Sequence, residues 1–264
     1  MLKLAANLSF LFLDRPLPER IAAAGAAGFA GVEYQFPDDV PADALRQALD
    51  AAQVTQVLLN MPAGDWAGGE RGIACLPGRE GEFKDGIGRA IELATRLGCT
   101  RLHLVAGLAP AGGPERIAYE DTYRKNVAWA ADQLAPHGIA ALLEPINSKR
   151  DVPGFFLRNT TEARAIIAEL GRRNVKLQFD AYHAQVTEGD LVHTFRTCLP
   201  DIGHIQIANP PGRNEPDRGE IDYRFFLGEV AASGYDGWVA AEYKPSGETE
   251  AGLGWLESWG LRRS

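Results

Sequence analysis

The chain is short of sulfur, short of positive charge and without a long apolar run, and each shortage removes a class of function. Three cysteines, Cys75, Cys99 and Cys198, are scattered over 264 residues with no CxxC spacing. That pattern excludes a disulfide framework and a zinc knuckle, and it fits a reducing compartment. Lys and Arg total 27 against 35 Asp and Glu, a formal net charge of −8. No basic stripe offsets the deficit, so a nucleic-acid partner is disfavoured. The apolar stretch near the N-terminus is interrupted by Asn7 and Ser9 and runs into Asp14-Arg15-Pro16, so neither a secretory signal nor a transmembrane helix is expected. Low-complexity tracts and interdomain linkers are missing too. The expectation is a soluble, cytoplasmic protein, a single domain over residues 1–264, with a small-molecule substrate and no membrane partner. Self-association as a homo-oligomer is left open.

What is present is an alternation of short apolar runs with longer segments of helical period, the mark of βα units and a parallel sheet. Apolar runs fall at residues 4–8, 31–34, 54–59, 101–105, 139–144, 175–180, 202–207 and 237–242. Helical segments are predicted at 18–27, 41–52, 80–98 and 115–137, then from a cap at Thr160 or Thr161 to Gly171, then at 187–198, 223–233 and 248–261. Eight such units predict an α/β fold, a closed (β/α)8 TIM barrel, whose chemistry sits where strands end and βα loops begin. The pattern lapses over about 60–79, a glycine-rich stretch too long for an ordinary connection and read as a lid-like loop.

Four of the runs end in oxygen-bearing side chains: Glu144 after Leu142-Leu143, Asp180 after Gln178-Phe179, Gln206 in His204-Ile205-Gln206-Ile207, and Glu242 after Ala240-Ala241. Singly, each marks a chain returning to water. Jointly, strand parity aims all four at one barrel mouth, where three carboxylates without a cation would repel one another. Such a cluster binds a metal or shifts its proton affinities. Three anionic oxygens and one amide suit a hard ion such as Mg²⁺ or Mn²⁺ better than zinc.

These segments carry a resemblance. Glu144 in LLEPIN, Asp180 and His183 in FDAYH, Gln206 in HIQIA, Arg213 in PPGRNEP before GEIDY, and Glu242 in AEYKP resemble the xylose-isomerase-like barrel superfamily. The lid NMPAGDWAGGERGIA is similar to that of its hydroxypyruvate isomerase family, which also includes 2-oxo-tetronate isomerases. The resemblance implies a divalent ion held by Glu144, Asp180, Gln206 and Glu242, with the two glutamates also moving the proton through a cis-enediolate. The implied reaction is hydroxypyruvate to tartronate semialdehyde, or its four-carbon homologue. Glu144 and Glu242, on the fifth and eighth strands, can approach a substrate from different walls. His183 can polarise a carbonyl, and Arg213, Arg71 or Lys244 can take a substrate carboxylate. His103 and His204 read as core or supporting residues, and Glu33 as reaching the site or bonding a neighbour. Trp66 can close the lid over the ligand, with Gly68, Gly69 and Gly72 supplying mobility. Two other readings share these motifs: a ketose epimerase or isomerase for a larger neutral sugar, and a multi-zinc DNA-repair endonuclease, against which five histidines and the acidic charge argue.

Overall fold

The eight apolar runs become eight parallel strands that close into one barrel, ordered β1 to β8 around it. The computed structural model describes residues 2–37 and 40–261. In chain order the elements are β1 (Lys3–Asn7), α1 (Leu17–Ala26), β2 (Gly31–Tyr34), α2 (Ala42–Ala52), β3 (Thr55–Asn60), α3 (Glu80–Leu97), β4 (Arg101–His103) and α4 (Pro114–Leu134). They continue as β5 (Ala140–Leu143), α5 (Thr160–Leu170), β6 (Val175–Asp180), α6 (Ala181–Thr187), α7 (Leu191–Cys198), β7 (Ile202–Ile207), α8 (Tyr223–Ala232), β8 (Trp238–Ala241) and α9 (Gly254–Ser258). Among the described residues no helix is long and apolar enough to cross a membrane.

Alternate residues of each strand face the barrel interior, and the interior changes character along its axis. Near the strand starts Ala5, Val57, Leu142 and Ala240 form an apolar plug, with Trp238 packed against it. Gly31 makes room for that indole, since a Cβ there would lie 2.7 Å from Trp238 Cζ3 and from Val57 Cγ1. Two residues beyond Ala5, Leu142 and Ala240 stand Asn7, Glu144 and Glu242, and Glu33, Gln178 and Gln206 join them from β2, β6 and β7, all buried. The core between strands and helices is apolar, so the polar side chains concentrate at the C-terminal mouth.

Three local expectations are corrected. Helix α5 is capped by Asn159, whose side chain accepts the Glu162 N–H at 2.9 Å, because the Thr160 hydroxyl is drawn away to Glu188 at 2.9 Å. A further short helix, α6, starts directly after Asp180, which caps it. Its seven residues hold too few turns to show a period. The closing helix shrinks to α9, since Gly247 and Gly252 interrupt the segment before it.

The 60–79 stretch has two halves. Gly72 bridges Ala106, Cys75 N–H donates to the Ala106 carbonyl at 2.8 Å, and Asn126 Nδ2 on α4 donates to the Ala74 carbonyl at 2.9 Å. Gly72 has φ +107°, and a Cβ there would sit 2.3 Å from the Val105 carbonyl oxygen, so only glycine fits this close approach. The tip ahead of it carries Trp66, whose ring meets Phe36 edge-on at 5.4 Å and is 36% exposed.

Candidate active site

The β-strand ends deliver their acceptors to one cavity of about 290 Å³, lined by Glu144, Gln206 and Glu242 together with His183, Arg213, Arg71 and Lys244. Asp180 borders it through its neighbours. Its Oδ1 accepts the Tyr182 and His183 N–H groups at 2.7 and 3.0 Å, which satisfies the first turn of α6. Its Oδ2 is buried and has no hydrogen-bond partner. Glu144 stands one residue past β5, with Oε2 3.4 Å from His103 Nδ1 and Oε1 3.9 Å from His183 Nε2. His183 Nε2 is also 3.7 Å from Asp180 Oδ2. Glu144, Asp180 and His183 thus offer three ligand atoms within 4.8 Å of one another.

On the opposite wall Glu242 is held from several sides. Asn7 Nδ2 donates to its Oε2 at 2.9 Å, Gln206 Nε2 donates to the same oxygen, and Arg213 Nη2 lies 2.6 Å from Oε1. Behind it, buried Glu33 accepts from Asn7 Nδ2 at 2.8 Å and from Gln206 Nε2 at 2.7 Å, and pairs with His204 Nε2 at 2.6 Å. The Gln206 carbonyl oxygen accepts from Gln178 Nε2 at 2.7 Å. Gln206 therefore turns amide nitrogen, not oxygen, toward Glu242.

Arg213 is the cation built into this cluster. Besides Glu242 it meets Asp180 Oδ2 at 3.6 Å and Asp151 Oδ1 at 3.4 Å, and its guanidinium lies over the Phe10 and Tyr182 rings. Its backbone takes φ +58°, an uncommon conformation for a side-chain-bearing residue and one tolerated where position matters. One buried guanidinium faces three buried carboxyls, Glu144, Asp180 and Glu242, so protons are retained. Burial, then Glu242 and Asp180, raises Glu144 well above the ordinary carboxylate range. Burial pushes Glu242 up to about 8 and Asp180 to about 6, with Arg213 opposing both. Burial also lowers His183 well below the usual imidazole value and His103 to about 3, leaving both rings neutral.

The neutral His183 ring is oriented by residues that strand-end patterns do not reveal. Asn147 Oδ1 accepts the Arg150 and Asp151 N–H groups at 3.0 and 3.2 Å. Its Nδ2 is thereby turned to Asp151 Oδ2 at 2.6 Å and His183 Nδ1 at 2.7 Å. A donor at Nδ1 makes that nitrogen the acceptor, so the ring proton sits on Nε2 and points at Glu144 and Asp180. Asn147 and Asp151 lie in the loop after β5 and carry no sequence signal. Asn7 and Gln178, by contrast, follow from strand parity with Ala5 and Asp180.

A xylose isomerase-like TIM barrel family model matches residues 21–259. The 2-oxo-tetronate isomerase of Cupriavidus necator is 47% identical, covering 98% of this chain and 99% of that protein. The hydroxypyruvate isomerase of Escherichia coli is 44% identical over 98% of this chain and all of its own length. A solved structure described as an AP endonuclease, family 2, from Brucella melitensis superposes with a TM-score of 0.94 at 44% identity, covering 98% of this chain and 99% of that one. A 3-keto-D-glucoside 4-epimerase from E. coli, at 19% identity and TM-score 0.80, shares the fold. Matched end to end by proteins of this kind, the chain belongs to the xylose isomerase-like TIM barrel family and, within it, to the group that holds the hydroxypyruvate and 2-oxo-tetronate isomerases.

Proposed function

We propose that the protein is an aldose–ketose type isomerase of small 2-oxo acids, interconverting hydroxypyruvate and tartronate semialdehyde or acting on the four-carbon 2-oxo-tetronate. One observation carries this reading. Two buried glutamates, Glu144 and Glu242, project from β5 and β8 into the same cavity, and burial raises the proton affinity of both. Moving a carbonyl by one carbon requires a proton to leave one carbon and return to its neighbour through a cis-enediolate. A carboxyl whose proton affinity lies near neutrality serves best as acid or base. The names of the two relatives support the substrate class.

Glu144 and Glu242 take and return the proton from opposite walls. His183, fixed by Asn147 as the Nε2–H form, donates to the oxygen on which negative charge builds. Arg213 keeps Glu242 in place through Oε1, while Asn7 and Gln206 hold Oε2. The Asp180 oxygen without a partner, amid an excess of buried carboxyls, fits a divalent cation. Glu144, Asp180 and Glu242 would hold it, a carboxylate-oxygen set suited to Mg²⁺ or Mn²⁺, with Gln206 as a fourth ligand once its amide turns its oxygen inward in place of the nitrogen that now faces Glu242. Such an ion supplies Lewis-acid stabilisation of negative charge on the substrate oxygens.

The test is a turnover screen of the purified protein with added Mg²⁺ or Mn²⁺, over hydroxypyruvate, C4 and C5 2-oxo acids and neutral ketoses. Turnover of a 2-oxo acid with neutral ketoses far slower is expected. Preference for a neutral ketose would instead establish the sugar epimerase or isomerase reading.

A further inference from the structure

The cavity has a polar wall that the proton chemistry leaves unused. Gln35 follows β2 and Asn60 ends β3, and both line the cavity. Their chain segments are tied together, since Asn60 N–H donates to the Gln35 carbonyl at 3.2 Å. Among the described residues no protein group hydrogen-bonds either side-chain amide, although both are half-buried. The lid begins directly after Asn60, and Trp66 packs on Phe36, the neighbour of Gln35. That contact brings the lid tip, with Arg71, over the same wall.

Arg71 differs from the other cavity cations. Its guanidinium lies 4.6 Å from the Trp66 ring, and one nitrogen, Nη1, donates to the Trp66 and Glu70 carbonyls at 3.2 and 2.7 Å. These partners are neutral. The Glu70 carboxylate beside it is engaged by Arg79 and by the Asp65 N–H. Arg213, in contrast, is already engaged by Glu242, Asp180 and Asp151 on three sides. Lys244 stands exposed at the rim, where water competes for it. A carboxylate needs a forked cation and further N–H donors in its plane, and Arg71 with the two amides provides them.

We propose that Arg71, Gln35 and Asn60 form the subsite that holds the substrate's carboxylate, so that the lid itself reads the acid. This rests on the 2-oxo-acid reading above. The two ideas are separable by comparing hydroxypyruvate with dihydroxyacetone, the same three-carbon ketol with an alcohol in place of the acid, and by measuring binding of glycerate, an acid that cannot isomerise. Arg71→Met should lower kcat/KM for hydroxypyruvate about 10- to 100-fold, mainly through KM. Turnover of dihydroxyacetone should stay within about 3-fold, and Arg71→Lys should recover part of the loss. Gln35→Met and Asn60→Ala should each cost about 3- to 10-fold with the same charge selectivity. Calorimetry should show glycerate affinity falling with the same variants, at an unchanged melting temperature. Equal losses for the acid and the neutral triose would assign Arg71 a role in lid packing and overturn the subsite. So would glycerate affinity equal in wild type and Arg71→Met, or no glycerate binding to either. A wild type that binds glycerate through Arg71 but turns over no 2-oxo acid would sink the functional reading and leave the subsite standing.

Discussion

Replacing Arg213 by methionine removes the guanidinium buried at the site and leaves Glu242, Asp180 and Asp151 without a partner now 2.6, 3.6 and 3.4 Å away. Breaking a buried ion pair from one side ordinarily costs roughly 3–5 kcal/mol. Here the cost depends on pH, because the carboxyls can keep protons. With Glu242 raised to about 8, a protonated Glu242 at pH 7 loses mainly a hydrogen bond, and the penalty is about 2 kcal/mol. Unfolding carries about 2.1 cal/mol/K per residue, so 264 residues convert that penalty into a fall of about 4 °C in melting temperature. As pH rises through about 8 the wild type gains an ion pair that the variant lacks. The deficit then grows toward the full ion-pair cost, a fall of about 7 °C. Scanning calorimetry of both proteins from pH 5 to 9 in chelator measures the difference directly, and millimolar Mn²⁺ should shrink it by replacing the lost positive charge. A deficit that is constant with pH, or largest at pH 5, would refute the picture of one guanidinium neutralising a proton-holding carboxyl cluster.

Other perturbations probe other parts of the site. Asn147→Leu should lower the melting temperature by about 4 °C or more, because four hydrogen bonds go with the buried side chain, and lower turnover about 10- to 100-fold below that temperature; nitrogen-15 NMR of the His183 ring should change from one Nε2–H form to a tautomer mixture, and an unchanged ring spectrum would contradict the orienting role of Asn147. Metal-free wild type should lose stability as pH rises from about 4.5 to about 8, because Glu242 binds its proton more tightly folded than unfolded. Added Mg²⁺ or Mn²⁺ should flatten that slope, and a stability that instead rises over this range would count against the raised carboxyls. Chelation should abolish turnover, with recovery on Mg²⁺ or Mn²⁺; full activity in the chelator would rule out a required cation.

The barrel was legible because each strand is a short buried run and each helix has room to show its period. β2, β6 and β7 fall where the apolar runs place them. Glu144, Gln206 and Glu242 were legible as residues of one mouth because strand parity fixes their direction. What pairs with them was not. Arg213 comes from a loop whose path no periodicity encodes, so its three carboxylate neighbours, Glu242, Asp180 and Asp151, could not be read from the sequence. Asn147 reaches His183 only through the turn its own oxygen stabilises. The 60–79 stretch was visible as a lapse in pattern, but its division into a clamped half and a Trp66 tip depends on the close approach at Gly72. The amide orientation of Gln206 is set by Glu33 and Gln178, partners distant in sequence, and no local signal reports it.

The most direct measurement follows hydroxypyruvate by proton NMR in deuterated buffer with Mn²⁺ or Mg²⁺, using wild type, Glu144→Gln and Glu242→Gln. Wild type should form tartronate semialdehyde, and either amide substitution should remove turnover while the fold and melting profile persist. Conversion by Glu144→Gln or Glu242→Gln at even about a tenth of the wild-type rate, where loss of an essential acid or base costs about 100-fold or more, would contradict the two-glutamate proton transfer.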